Sequence, residues 1–240
     1  MHPLDRPVWT SLTTYHAASA TGGPLARRFV HDVNLFASAC DDSDAALNAL
    51  ARLLAHGDQV YVLQVPEIAV PAQCAVVKSA PGVQMVATRS IAPMASHEGI
   101  ETLNEADVPE MLALARLTEP GPFLARTHTM GAFLGMRVGG RLVAMAGERM
   151  RFPGYTEVSG VCTHPDFRGH GMARRLSAAV AAAIEARGDR PFLHAWATNH
   201  AAIALYESLG FERRCAVNVA ALELCSQRPS DTNEMLRAAH

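Results

Sequence analysis

Val161-Cys162-Thr163-His164-Pro165-Asp166-Phe167-Arg168-Gly169-His170-Gly171-Met172-Ala173 is the stretch that decides how this chain folds. An apolar run, Val158 to Thr163, stops at His164-Pro165. A turn with two glycines follows, and then a long alanine-rich helix begins. A strand, a glycine turn and a helix start make a site for a phosphate group. The first N–H groups of a helix have no partners inside it, and the helix dipole adds positive charge there. Gly169 and Gly171 let the backbone approach an anion with no Cβ in the way. Arg168, Arg174 and Arg175 put cations nearby.

The spacing separates this turn from other glycine loops. The dinucleotide fingerprint G-x-G-x-x-G requires a third glycine where Arg174 stands. A P-loop requires Lys and Ser/Thr after its last glycine, and neither follows Gly171. Arg168 to Ala173 instead resembles [QR]-x-x-G-x-[GA], the pyrophosphate-binding pattern of the GNAT superfamily of N-acetyltransferases. Alone, two glycines before a helix are often only a tight turn. Downstream, however, Pro191 to Ala197 reads as a strand, and Asn199-His200-Ala201-Ala202-Ile203-Ala204-Leu205-Tyr206-Glu207-Ser208-Leu209-Gly210-Phe211 resembles the second GNAT signature, A-x-x-L-Y-x-x-x-G-F opened by an Asn. The resemblance covers Glu101 to Leu224. Within the superfamily it is nearest the glycine N-acyltransferase-like branch, which also carries a divergent half ahead of its acetyltransferase domain.

The remaining elements agree with that order. Asp107 reads as a helix N-cap with Pro109 just inside and Leu112, Leu114 and Leu117 along the helix. Gly131 to Val138 and Arg141 to Arg149 read as strands joined by a Gly139-Gly140 hairpin turn. Tyr155 to Thr163 is the next strand. The helix from Gly171 to Arg187 puts Leu176, Val180 and Ile184 on one face. Val217 to Leu224 is the last strand, and the tail after Ser226 reads as frayed or a short helix. The expected fold is α/β (α+β): a GNAT acetyltransferase fold with a central mixed, mostly antiparallel sheet flanked by helices, preceded by a divergent N-terminal α/β half. The expected division is 1–96 for that half, in the order of a degenerate GNAT-like unit, and 97–240 for the acetyltransferase domain. In the first part, a helix from Ser43 to Ala55, a strand from Gln59 to Val65 and shorter strands at Cys74–Lys78 and Val83–Ala87 are legible.

Composition narrows the function classes. The chain has 240 residues, is 49% hydrophobic and 18% charged, and carries a formal net charge of -2. No nucleic-acid or membrane partner is expected from such a balance. The five cysteines form no C-x-x-C pair, so neither a disulfide scaffold nor a metal site is expected, and a cytoplasmic location is the simpler reading. No secretory leader or membrane span is read.

The resemblance implies direct transfer of an acetyl group from acetyl-CoA to a primary amine on a small molecule or peptide. The backbone of Val161, Cys162 and Thr163 would hold the pantetheine arm. Arg168, Gly169, His170, Gly171, Met172 and Ala173 would hold the pyrophosphate, and Asn199 would cap its helix and touch the cofactor. Tyr206 would be the acid for the departing thiolate; otherwise it is a packing residue beside Ile203. An alkyl amine has a pKa of about 10.4 and must lose a proton, so a base is needed. Glu148 and Glu157 are the candidates, with Glu148 favoured because an acid in the apolar run Leu142–Gly147 needs explaining; otherwise each is a strand-edge glutamate paired with Arg149 or Arg151. Cys162 beside His164 is read as a small buried thiol, His194 and Trp196 as core or cleft lining, His128 as a lone loop residue, and Arg213 and Arg214 as solvated or, alternatively, on the sheet rim near the nucleotide. The alternatives are a non-catalytic acyl-CoA-binding module and an enzyme of another nucleotide. A homodimer is compatible with the sequence.

Overall fold

The computed structural model describes residues 2–225; the tail expected after Ser226 lies outside the described residues. In chain order the elements are α1 (Pro7–Leu12), β1 (Ala20–Gly22), β2 (Ala26–Phe29), β3 (Ala37–Ala39), α2 (Asp44–Ala51), β4 (Val60–Gln64), β5 (Cys74–Ala87), β6 (Glu101–Leu103), α3 (Val108–Thr118), β7 (Phe133–Val138), β8 (Arg141–Phe152), β9 (Tyr155–Thr163), α4 (Met172–Ala186), β10 (Arg190–Trp196), α5 (His200–Leu209) and β11 (Phe211–Leu224). A small sheet, β1-β2-β3, packs its alanines against Ala46 and Leu50 of α2. The main sheet has eight strands in the order β4-β11-β5-β10-β9-β8-β7-β6. It is antiparallel throughout except at β9–β10. This is the mixed sheet flanked by helices expected of the GNAT fold.

The alternation of side chains along each strand assigns the two faces. On β10, Leu193 joins the cluster built on Leu176, Val180 and Ile184 of α4 and Ile203 of α5, the helical face read from the sequence. Its neighbour Phe192 joins Leu4, Val8 and Leu12 around α1, together with Phe36, Val217 and Val219. The N-terminal segment therefore covers the face opposite α4 and α5.

Several elements depart from expectation. The two strands read before residue 88 are one continuous strand, β5. Pro81 is tolerated inside it because it sits just past the last β10–β5 pair, Trp196–Gly82, where Ala197 N still donates to the Pro81 carbonyl at 3.1 Å and only the proline's own N–H is missing. Asp107 stands at the N-cap position of α3 as read, but its carboxylate does not cap that helix; it accepts from Asn104 N at 2.8 Å in a capping box one turn earlier. The buried face of α3 is Met111, Leu114 and Ala115, and Leu117 is 51% exposed. β11 begins at Phe211, not Val217, and takes Arg213 and Arg214 into the sheet.

The division drawn at residue 96 falls between β5 and β6 and cuts one sheet. β5 lies between β10 and β11, and β11 pairs only with β4 and β5. A chain starting at residue 97 loses every partner of β11. Its circular dichroism and thermal scan should show no cooperative unfolding transition, whereas the full chain should melt in one step; a truncated chain with a native-like transition would contradict this topology.

Candidate functional site

β9 and β10 are parallel neighbours for only three residue pairs, Tyr155–Glu157 against Arg190–Phe192. Beyond Phe192, β10 follows β5 instead, pairing through Trp196 with Gly82. At the same place β9 bulges: Met145 faces Cys162 and Gly147 faces Ser159, so Gly160 and Val161 together oppose Ala146. A bulge bends its strand and leaves one residue outside the ladder. The two strands part, and a cleft of about 740 Å³ opens between Val158–Thr163 of β9 and His194–Trp196 of β10. Its lining includes Leu205 and Tyr206, from the α4–α5 side, and Phe36 and Val217, from the N-terminal side. The cleft thus passes through the split in the sheet.

One end of the cleft is the glycine turn. Gly169 and Gly171 have φ of +81° and +73°, a region costly to residues with a Cβ. Gly171 is the N-cap of α4 and no side chain caps that helix. The amides of Gly169, His170 and Gly171 bond to nothing among the described residues. Free amides at a helix start, with open space where a Cβ at Gly169 or Gly171 would stand, fit a phosphate. Arg168 and Arg174 line the same end. Arg174 is drawn to Ser208 Oγ at 2.5 Å, and Arg175 donates to the carbonyl of Glu98. Thr163 Oγ1 is buried and has no partner among the described residues, a further polar atom left for a ligand.

Tyr206 and Asn199 line the cleft from α5. Asn199 Oδ1 accepts from Ala202 N at 3.1 Å, the cap read from the sequence. Tyr206 is 8% exposed, its ring set edge-on to Phe211. Its hydroxyl meets no described residue, yet it is not sealed from solvent. Burial pushes its pKa up to about 12, so it holds its proton at neutral pH. Cys162 is a buried thiol pushed up to about 11 by burial, which leaves it protonated and inert.

The two glutamates occupy different places. Glu148 does not line the cleft; its carboxylate accepts from Arg187 Nη2, at the end of α4, at 2.7 Å. Glu157 is wholly buried beneath the cleft, beside the last β9–β10 rung. Arg149 Nε and Nη2 donate to it at 2.7 and 2.6 Å, and His194 Nδ1 donates at 2.7 Å. Burial alone would raise its pKa, but the charge and paired hydrogen bonds of Arg149, with His194, hold it at about 2. Gln84 fixes the histidine's other nitrogen. Gln84 Oε1 accepts from Arg214 and its amide nitrogen donates to Leu4 O at 2.9 Å, so the same NH₂ donates to His194 Nε2 at 3.0 Å. The imidazole therefore carries its proton on Nδ1. Arg149 and His194 line the cleft, so Glu157 reaches it through them. The sequence had placed His194 and Trp196 on one strand face as core or lining, and both line the cleft. It gave no sign of Phe36, Tyr61 or the Thr118–Pro122 loop, which also line it.

A protein from Novosphingobium aromaticivorans, assigned to the GNAT family as an acetyltransferase, is 43% identical over 94% of this chain and the whole of its own, with a TM-score of 0.88. This chain belongs to the GNAT acetyltransferase family. The sequence model of the FR47-like protein family matches residues 133–219, which hold β7 to β10, α4, α5 and both signatures. A GCN5-related N-acetyltransferase from Kribbella flavida has a TM-score of 0.64 at 19% identity, covering 96% of this chain and 99% of its own, and shares the fold. A GCN5-related N-acetyltransferase-like protein from Streptococcus suis does so with a TM-score of 0.54 at 16% identity, covering 93% and 96%. No curated protein matches the chain in sequence. Among the described residues no helix is long and apolar enough to cross a membrane.

Two outcomes check this site. Gly171→Glu puts a side chain and a negative charge at the free amides, and calorimetric titration should show coenzyme A binding lost; wild-type affinity would remove the turn from the site. Glu157→Gln leaves Arg149 buried without its anion and should cost about 3–5 kcal/mol in urea unfolding at pH 7. Because the native carboxylate's pKa lies below its ordinary 4.5, the stabilisation is complete above that pH and fades as pH falls toward 2. The gap between wild type and variant should narrow over that window and no other.

Proposed function

We propose that the chain is an acetyl-CoA-dependent N-acetyltransferase that acylates a primary amine directly. The observation that carries this reading is the continuity of one cleft from the free amides at the start of α4 to the unbonded hydroxyl of Tyr206. Acetyl-CoA would supply a thioester, whose acetyl group passes to the amine nitrogen as the C–S bond breaks and an amide bond forms. The amides of Gly169 to Met172, with Arg168, hold the pyrophosphate. The backbone of Val161, Cys162 and Thr163 holds the pantetheine arm, and an amide freed by the bulge at Gly160–Val161 donates to the carbonyl oxygen as it gains charge. Tyr206 gives its proton to the departing sulfur, and its raised pKa keeps that proton available at neutral pH. Asn199 holds the start of α5 and hence the position of Tyr206.

Both ring nitrogens of His194 are occupied, Nδ1 by Glu157 and Nε2 by the Gln84 amide, so the amine's proton leaves to solvent in the cleft. Glu148 is turned to Arg187 and does not line the cleft. Glu157 is a positioning residue: held ionised by Arg149, it fixes the imidazole tautomer and holds Arg149 and His194 at the cleft. Within the family we propose the glycine N-acyltransferase-like branch, a reading supported by the segment that precedes both signatures, and a cytoplasmic location, which accords with the free cysteines.

Thiol release from acetyl-CoA in the presence of an amine panel tests the reading. Tyr206→Phe keeps the ring and removes one hydroxyl, so turnover should fall about 10²-fold or more with acetyl-CoA affinity nearly unchanged. Unchanged turnover in a chemistry-limited assay would return Tyr206 to packing. Binding of coenzyme A with no transfer to any amine would contradict the enzyme.

A further inference from the structure

The N-terminal face of the cleft has a chemistry of its own. Phe36, Tyr61, Leu63, Val217 and Val219 form its wall, with Trp196 at the rim. Phe36 and Tyr61 are joined by an isolated bridge and by an edge-on ring contact at 6.2 Å, so the wall is a fixed aromatic corner. Glu119, in the loop after α3, is the one carboxylate residue lining the cleft among the described residues, and Glu157 beneath it is already saturated by Arg149 and His194. A second ammonium group entering this wall would lose its hydration against apolar side chains, with Glu119 the one carboxylate residue on the cleft, among the described residues, to offset it, which is costly. Polyamines and lysine side chains carry such a group or a long polar stem.

One charged donor stands in this corner. Arg149 spends Nε and Nη2 on Glu157, and its guanidinium lies over the Phe36 ring at 4.8 Å. Its side chain is 12% exposed. Nη1 has no partner among the described residues and is not sealed from solvent. The guanidinium cannot turn away without breaking the bidentate pair, so Nη1 is a preorganised, unpartnered donor on a residue that lines the cleft. A guanidinium nitrogen held this way suits a carboxylate oxygen.

Resting on the acetyltransferase reading above, we infer that the acceptor is the α-amino group of a free apolar amino acid, aromatic or branched. Its side chain packs on Phe36, Tyr61 and Val219, and its carboxylate accepts from Arg149 Nη1. Arg149 then sets specificity as well as holding Glu157, and the N-terminal segment selects the substrate by supplying the wall.

Two measurements on the full chain test this. Equilibrium binding of L-phenylalanine, phenylalaninamide, phenethylamine and spermidine is read by calorimetry with coenzyme A absent and present. Initial rates of thiol release with acetyl-CoA use the same four compounds. L-Phenylalanine should bind at least about 10-fold tighter than phenethylamine, and its kcat/KM should lead by a similar factor, because the two differ only in the carboxylate. Arg149→Lys, with its fold checked by thermal melting, should bring the ratio of L-phenylalanine to phenethylamine affinity close to one; a ratio kept at the wild-type value would overturn the role of Arg149. Phenethylamine or spermidine matching L-phenylalanine in the wild type would overturn the inference. Phenylalaninamide matching it would also overturn it, and would point to a peptide N-terminus. Transfer to spermidine alone would sink the inference and leave the acetyltransferase standing. L-Phenylalanine binding with no thiol release from any amine would sink the acetyltransferase and leave the chamber standing. An absence of L-phenylalanine binding in both states would overturn the chamber directly.

Discussion

The whole arrangement depends on β9 and β10 being parallel partners for three residue pairs and no further. A fully zipped pair would close the sheet and leave no cleft. Two constraints pull the strands apart. β10 is captured on its other side by β5, from Phe192–Val86 through Trp196–Gly82. β9 bulges at Gly160–Val161 and follows β8 away. Unpaired inward backbone is costly in a folded interior, so such a gap persists only where a ligand or solvent can satisfy it. A pantetheine arm, itself an extended amide chain, is the kind of ligand that can act as the missing strand.

At the apex of the split sits Glu157. A wholly buried carboxylate is expensive unless fully paired, and here three donors on two side chains surround it. The chain of contacts runs on from His194 to Gln84, Arg214 and Asp5, the last pair closing at 2.6 Å. It ties β8, β9, β10, β5 and β11 to the N-terminal segment. The same group that costs desolvation thus sets the position of the two polar side chains on the cleft floor, Arg149 and His194. A change at Glu157 would therefore disturb both side chains as well as the stability of the sheet.

How much of this was legible follows from the range of each signal. Local signals were clear. The turn at Gly169–Gly171, the apolar stripe Leu176–Val180–Ile184, the Gly139-Gly140 hairpin and the Asn199 cap all depend on residues within a few positions of one another, and each stands where the sequence put it. Long-range placement was not. Nothing in Cys74–Ala87 says that it lies between β10 and β11, more than 100 positions downstream. Pro81 broke the strand pattern because the sequence does not show which flank of a strand is open. Glu148 drew attention as an acid in an apolar run, yet what explains it is Arg187, 39 residues away. Glu157 and His194 are 37 apart and become partners only through the β9–β10 rung. Phe36 and Tyr61 belong to a segment with no motif, and their role comes from the fold placing that segment on the far face of the split.

The central claim is that the split between β9 and β10 is where coenzyme A lies, with its pyrophosphate on the free amides ahead of α4. Amide chemical-shift mapping with coenzyme A tests it most directly. The largest changes should fall on Gly169, His170, Gly171 and Met172 and on Val161 to Thr163, with smaller ones at Tyr206 and little along β4. Saturable binding that leaves those amides unmoved, or that shifts another surface instead, would contradict the account.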